Sequence, residues 1–256
     1  TWDELIEVAN QVQEENPDVI GLGYNQNEPF WFLPFVHGFG GSVFDAEGNF
    51  TMDTQAWVDA FQFVQDLKYQ NDIQPVECDI DCVNGLFSEG GVAMVINGDW
   101  QIGAYSDPEQ SPALGENFAV APWPALPNGE RPRPFISGRF VSIPVTTEGD
   151  KLEAIRSWLT WLSTDEEAIA ATTVDLGRLP AVTAAAELPQ LTEDPLLAAS
   201  NAAVATGVGM PANIELRCMW DAVRPQLEGV MANTTTPEAA AAEAQAAAES
   251  CVEDLG

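Results

Sequence analysis

Apolar positions along the chain alternate between helical spacing and short continuous runs, and this alternation predicts an α/β fold. A helix is expected from Thr1 to about Glu15, ending before Asn16-Pro17. Its start, Thr1-Trp2-Asp3-Glu4, has capping-box spacing: the Thr1 hydroxyl can accept the Glu4 N–H while the Glu4 carboxylate reaches back. Residues 19–24 read as a buried strand. The stretch from Asn25 to Gly41 is rich in aromatics and glycine. Val43-Phe44-Asp45 and Asn49-Phe50-Thr51 flank Ala46-Glu47-Gly48 as a hairpin. Thr54 is placed to cap a helix in which Val58, Phe61, Val64 and Leu67 repeat at helical spacing. A strand over 92–96 ends in Asn97-Gly98-Asp99-Trp100, and a proline-rich loop spans Pro122 to Pro134. A strand at 140–143 precedes a helix from about Asp150 through Trp161 and a second after Thr164, stopped by Gly177. Helices at 214–230 and 237–254 close the chain. The last begins Thr236-Pro237-Glu238, which supplies a cap, an N1 proline and an acid suited to the helix dipole.

The 46% hydrophobic content over 256 residues is enough for a substantial core. No apolar run reaches the length of a membrane-spanning helix, and no basic, apolar leader stands at the start. Opening on a helix cap without methionine is what an internal part of a longer chain would do. Forty acids against nine bases give a net charge of −31, and only Lys68 and Lys151 are lysines. That field opposes nucleic acid and anionic membranes. Because the acids are spread along the whole chain, a hydrated surface suited to high salt explains them better than a cationic ligand does.

The four cysteines form a close pair, Cys78 and Cys82, and a distant pair, Cys218 and Cys251. An even count in a secreted chain suggests two disulfides. Zinc is disfavoured, because the close pair has no second pair or histidine to complete a site. Asp45, Glu47 and Asn49 imitate a calcium loop, but Gly48 is misplaced and the closing glutamate is missing. No metal or other cofactor is therefore expected. There is no Gly-x-Ser-x-Gly elbow, no phosphate-cradling loop, and a single histidine, His37. With so many acids, carboxylate pairs carry no information about glycoside hydrolysis. Aromatic rings beside polar groups stand out at three bends: Asn27-Glu28-Pro29-Phe30-Trp31-Phe32, Asn97-Gly98-Asp99-Trp100 and Cys218-Met219-Trp220-Asp221. A pyranose has an apolar C–H face for such rings and a hydroxyl rim for carboxylates and amides. Composition alone would put these tryptophans in the core.

Their order changes the balance. Over nearly its full length the chain resembles the maltose/maltodextrin-type family of solute-binding proteins. Thr1-Trp2-Asp3-Glu4-Leu5 is similar to the family's helix start, and Glu28-Pro29-Phe30 to its Glu-Pro-Tyr. The hairpin and the Thr54 helix follow in register. Phe87-Ser88-Glu89-Gly90-Gly91-Val92-Ala93-Met94 with Asn97-Gly98-Asp99-Trp100 resembles the family's Phe-x-x-Gly-x-x-Ala-Met strand and Asn-Gly-Pro-Trp. Met210-Pro211-Ala212-Asn213-Ile214 and Trp220-Asp221-Ala222-Val223-Arg224 complete the series.

The resemblance implies a two-lobed, periplasmic-binding-protein-like fold of type II, with an extracytoplasmic monomer that clasps a sugar and delivers it to a membrane ABC permease rather than an enzyme. Residues 1–140 would form the first part of the carboxy-terminal lobe. Residues 141–197 would hold the crossing strand and helices of the amino-terminal lobe, whose first part would precede Thr1, and 198–256 would supply the closing helices. Ligand contacts would fall to Glu28, Phe30, Trp31, Trp100 and Trp220, with Asp99 and Arg139 at the rim. Phe30 in place of tyrosine removes a hydroxyl, and Asp99 in place of proline adds an acceptor. A secreted glycoside hydrolase and a solute-binding protein for a polyamine are the alternatives. An iron-binding relative is disfavoured because Tyr24, Tyr69 and Tyr105 are far apart in sequence, and a purely adhesive module would have no ligand.

The charge generates a first prediction. Self-repulsion among the acids is screened over a Debye length of about 10 Å at 0.1 M salt. The melting temperature should therefore rise from low salt to molar potassium chloride. A flat or falling curve, followed by circular dichroism, would contradict the high-salt reading.

Overall fold

In the computed structural model, every residue is described except 76, 139, 174–176, 183, 184, 186 and 256, and the side chain of Glu116. The chain runs through α1 (Trp2–Glu15), β1 (Ile20–Gly23), α2 (Pro29–Gly38), α3 (Gln55–Tyr69), α4 (Ile80–Ser88), β2 (Val92–Val95) and α5 (Ile102–Ser106). There follow β3 (Phe135–Ile136), α6 (Gly149–Thr164), α7 (Glu166–Thr172), α8 (Pro189–Thr192), α9 (Pro195–Val204), β4 (Val208–Gly209), α10 (Leu216–Met231) and α11 (Pro237–Glu253). Among the described residues β1 pairs in parallel with β2, and β3 in parallel with β4. No described helix is long and apolar enough to cross a membrane.

The capping box at Thr1 forms: its hydroxyl accepts the Glu4 N–H at 3.2 Å, and the Glu4 carboxylate takes both the Thr1 amine and hydroxyl. Those contacts lower the Glu4 pKa, the amine's hydrogen bond most of all. At α3 the expected side-chain cap does not form. The Thr54 hydroxyl instead donates to the Thr51 carbonyl, and the helix begins without it. The hairpin shrinks to a single antiparallel bridge, Phe44 to Phe50. Its turn is held by Asp45, whose carboxylate accepts from the Glu47 and Asn49 backbones and the Asn49 side chain, while Gly48 takes the left-handed φ of 90°.

Helix α7 ends at Thr172, short of the stop expected at Gly177, and two further elements depart from expectation. Residues 29–38 form a helix that the aromatic pattern hid, because apolar residues surround it on every side and leave no amphipathic period. The strand expected at 140–143 is absent. Phe140 and Val141 are exposed, and the ladder forms five residues earlier, where the Pro134 carbonyl accepts from Val208 and the Ile136 carbonyl from Met210.

One large core joins α1, α2, α3, α10 and α11 through fully buried Trp2, Phe32, Phe35, Trp57, Phe61, Met219 and Val223. The alanine-rich α11 turns Ala240, Ala241, Ala244 and Ala248 inward, and these small side chains let it lie close on α10 and α3. A second cluster brings Ile169, Leu188, Leu191 and Leu197 onto Ile102 of α5. Only three ion pairs occur among the described residues, so most of the acids lie outside any salt bridge.

Both expected disulfides are present. Cys78 and Cys82 bond with Cα atoms 5.4 Å apart, and Cys218 bonds Cys251 with Cα atoms 5.6 Å apart, stapling α10 to α11. The second prediction follows from the loops they close. Serine at both 218 and 251 should lower the unfolding free energy by about 3–4 kcal/mol on chain-entropy grounds. Serine at both 78 and 82 should cost clearly less. Urea unfolding of the two double variants checks this, and equal losses would contradict it.

Candidate functional site

The end of β2 turns into the site through a small polar network. Asn97 donates from Nδ2 to the Asn84 Oδ1 at 2.8 Å and to the Tyr105 hydroxyl oxygen at 2.9 Å. Tyr105 in turn donates to Asn84 Oδ1 at 2.7 Å, and Asn97 Oδ1 accepts the Gly98 N–H. Burial is the larger influence on Tyr105, raising its pKa against the opposing Asn97 bond, so the hydroxyl stays a donor. Gly98 then admits the Trp100 ring: a Cβ there would collide with the six-membered part of the indole. The bend and the missing side chain together fix the indole beside the strand end, in the 3-10 turn Asp99–Gln101.

Trp100 is 38% exposed and meets two aromatics from the first turn of α2. Its centroid lies 6.2 Å from Phe30 and 5.8 Å from Trp31, and Phe30 packs edge-on to Trp31 at 5.2 Å. Trp31 is buried and acts as the wall against which the other two rest. Glu28, the residue before α2, accepts from Arg224 Nη2 at 2.7 Å. Arg224 lies one turn beyond Trp220 on α10, so the ion pair ties the two aromatic groups together across the molecule. Trp220 is half-buried, and its ring stands edge-on to Phe135 at 6.5 Å.

The expected site residues are thus brought together unequally. Phe30, Trp31 and Trp100 form one contact cluster. Glu28 borders it, while Trp220 joins through Arg224 and Glu28 without ring contact to the other three among the described residues. Asp99 adjoins Trp100 and uses Oδ2 to accept the Leu179 N–H at 3.3 Å, which draws the 177–179 turn to the site. Arg139 lies outside the described residues. Sequence reasoning omitted Arg224 from the site, although its four-residue spacing from Trp220 marks a shared helix face. It also missed Leu179, for which the sequence held no signal.

A cavity of about 310 Å³ runs along β2 between Trp2, Phe87, Tyr105, Phe118 and Trp123. It includes Gly98 and Asp99 in its wall, but neither Trp31 nor Trp220. The ring cluster is therefore a face and not the lining of that cavity.

Comparison with known proteins gives a consistent picture. Residues 1–199 match the family profile described as bacterial extracellular solute-binding protein. The maltotriose-binding protein of Pyrococcus abyssi (strain GE5 / Orsay) is 25% identical over 238 residues, covering 90% of this chain and 49% of its own. An arabinooligosaccharide-binding protein of Halalkalibacterium halodurans is 26% identical over 175 residues, covering 66% of this chain and 38% of its own. Among solved structures, the maltose/maltodextrin-binding domain MalE of Bdellovibrio bacteriovorus bound to maltotriose superposes with a TM-score of 0.84 at 33% identity, covering 98% of this chain and 66% of that one. Maltose-bound T. maritima MalE3 has the same fold, with a TM-score of 0.83 at 22% identity over 98% of this chain and 65% of its own. The chain spans about half the length of the Pyrococcus relative and about two thirds of the solved neighbours. Its fold is consistent with part of a two-lobed, type II binding protein. The chain belongs to the bacterial extracellular solute-binding protein family.

Proposed function

We propose that this protein captures an oligosaccharide of the maltodextrin class outside the cytoplasm and presents it, as a monomer and without a cofactor, to an ABC permease. The observation that carries this reading is the Phe30–Trp31–Trp100 cluster, with one exposed indole beside the Glu28–Arg224 pair. A flat indole suits the C–H face of a pyranose, and the carboxylate and guanidinium suit its hydroxyl rim. The names of the relatives, all binding proteins for oligosaccharides, support the same reading.

Capture would require a second lobe. Two surfaces are suited to building it, one within that lobe and one facing it from the first. Helix α6 buries none of its residues and leaves Trp158 and Trp161 half exposed, near Phe140, Val141 and Val145 in sequence. The cavity along β2 flanks the strand that pairs only with β1 among the described residues, and its wall includes Trp2, whose Nε1–H has no acceptor there. We assign residues 141–197 to that second lobe, with residues 1–140 and 198–256 forming the first. A ligand touching both lobes favours the closed form, and moving a 1:99 equilibrium to 99:1 takes about 5.5 kcal/mol of differential binding.

Titration calorimetry on the complete gene product tests the reading with a maltodextrin series. Trp100→Ala and Trp220→Ala should each weaken binding more than about tenfold, since a stacked ring contributes well over 1 kcal/mol on desolvation. The melting temperature of unliganded Trp100→Ala should barely move. Glu28→Gln should also weaken binding, by removing a charge-assisted acceptor and releasing Arg224. Unchanged affinity in all three folded variants would return these rings to a packing role. A loss of about 3–5 kcal/mol in stability with intact affinity would do the same.

A further inference from the structure

His37 is the single histidine, buried in the last turn of α2, and neither the ring cluster nor the core explains its chemistry. Its Nδ1 lies 2.9 Å from the Arg133 carbonyl, which can only accept, so Nδ1 carries the proton. The Arg133 N–H donates in turn to the Pro34 carbonyl at 3.0 Å, which makes a two-point clamp between α2 and the segment entering β3. Beyond the clamp the His37 ring packs on Phe135 with centroids 5.0 Å apart, and Phe135 packs edge-on to Trp220. Phe135 is buried between them and held in register by β4. One residue thus joins the helix that bears Phe30 and Trp31 to the strand that abuts Trp220.

We propose that His37 is a positioning residue for the binding face, setting the Trp220 ring relative to the Phe30–Trp31–Trp100 cluster through Arg133 and Phe135. The proposal rests on the sugar-binding reading for its functional consequence, though not for its geometry. Burial holds the His37 pKa below the ordinary imidazole value, and the nearby Arg133 charge adds to this while the backbone bond opposes it. The other charges on the elements packed here are Glu130 and Arg131 before β3, Arg217, Asp221, Arg224 and Glu228 on α10, Asp59, Asp66 and Lys68 on α3, and Glu28 at the far end of α2. Of these, Arg224 and Glu28 pair with each other, and Arg131 donates to the Trp123 carbonyl. Protonation would add an Nε2–H that makes no hydrogen bond among the described residues and a positive charge near Arg133. The packing on Phe135 would loosen.

The test uses the complete gene product and two readouts. The first is the Trp220 indole N–H resonance followed by NMR across pH without ligand. It should shift with the titration of the His37 ring, at a midpoint below about 6.5, and should not shift in His37→Asn. The second is the affinity for maltotriose. His37→Phe keeps a ring and loses the donor, and should bind roughly fivefold more weakly, the weight of one neutral hydrogen bond. His37→Asn restores a donor toward Arg133 and should recover part of that loss. A Trp220 resonance that ignores the His37 titration overturns the proposal, even if His37→Phe fails to fold. Equal affinities in the wild type and both folded variants also overturn it. A resonance that follows His37 in a protein that binds no maltotriose at any pH upholds the positioning role and strikes the sugar reading instead.

Discussion

The proposed binding face depends on the burial of α2. Nearly every residue of this helix is inside the molecule: Phe32, Leu33, Phe35 and Val36 meet α3, α10 and the hairpin through the large core. Pro29 starts the helix with a φ already suited to it, and Pro34 removes a donor from its middle. A helix held on all sides has one position and one rotation. Its first turn therefore carries Phe30 and Trp31 to a fixed place, and Trp100 and α10 are arranged around that place. The aromatic platform is an outgrowth of the core, and its rigidity costs little entropy when a ligand arrives.

The polar groups around the platform serve this geometry before they serve any ligand. Asn97, Asn84 and Tyr105 satisfy one another and hold the bend that sets Trp100. Glu28 and Arg224 satisfy each other on the opposite side. Because this pair is partly exposed, its net contribution to stability is small, and its value lies in orientation. Asp99, read from sequence as an added acceptor, spends one oxygen on the Leu179 backbone. The remaining acids have a different part. With three ion pairs among the described residues and a net charge of −31, most of them face water.

Much of this was legible in the sequence, where local chemistry decides the outcome. The Thr1 capping box, the 92–95 strand, α3, α6, α10 and α11 follow from spacing and caps, and the cysteine arithmetic anticipated both disulfides. Helix α2 was hidden because burial on every side erases the 3.6-residue period. The strand expected at 140–143 failed for the opposite reason: an apolar run makes a strand only where a neighbour takes its hydrogen bonds, and that neighbour, Val208–Gly209, lies opposite residues 135–136. Within the candidate site, Glu28, Phe30, Trp31 and Trp100 were visible as aromatic and polar clusters at bends. The Glu28–Arg224 pair and the Asp99–Leu179 contact were not, since residues 196 and 80 positions apart leave no local pattern.

The most direct test of the account is a crystal structure of the complete gene product with maltotriose. The account predicts one glucose unit with its C–H face about 4 Å from the Trp100 indole, a hydroxyl bonded to Glu28 or Arg224, and Trp220 against another unit. Maltotriose lodged in the cavity along β2, with Trp100 left in solvent, would contradict it.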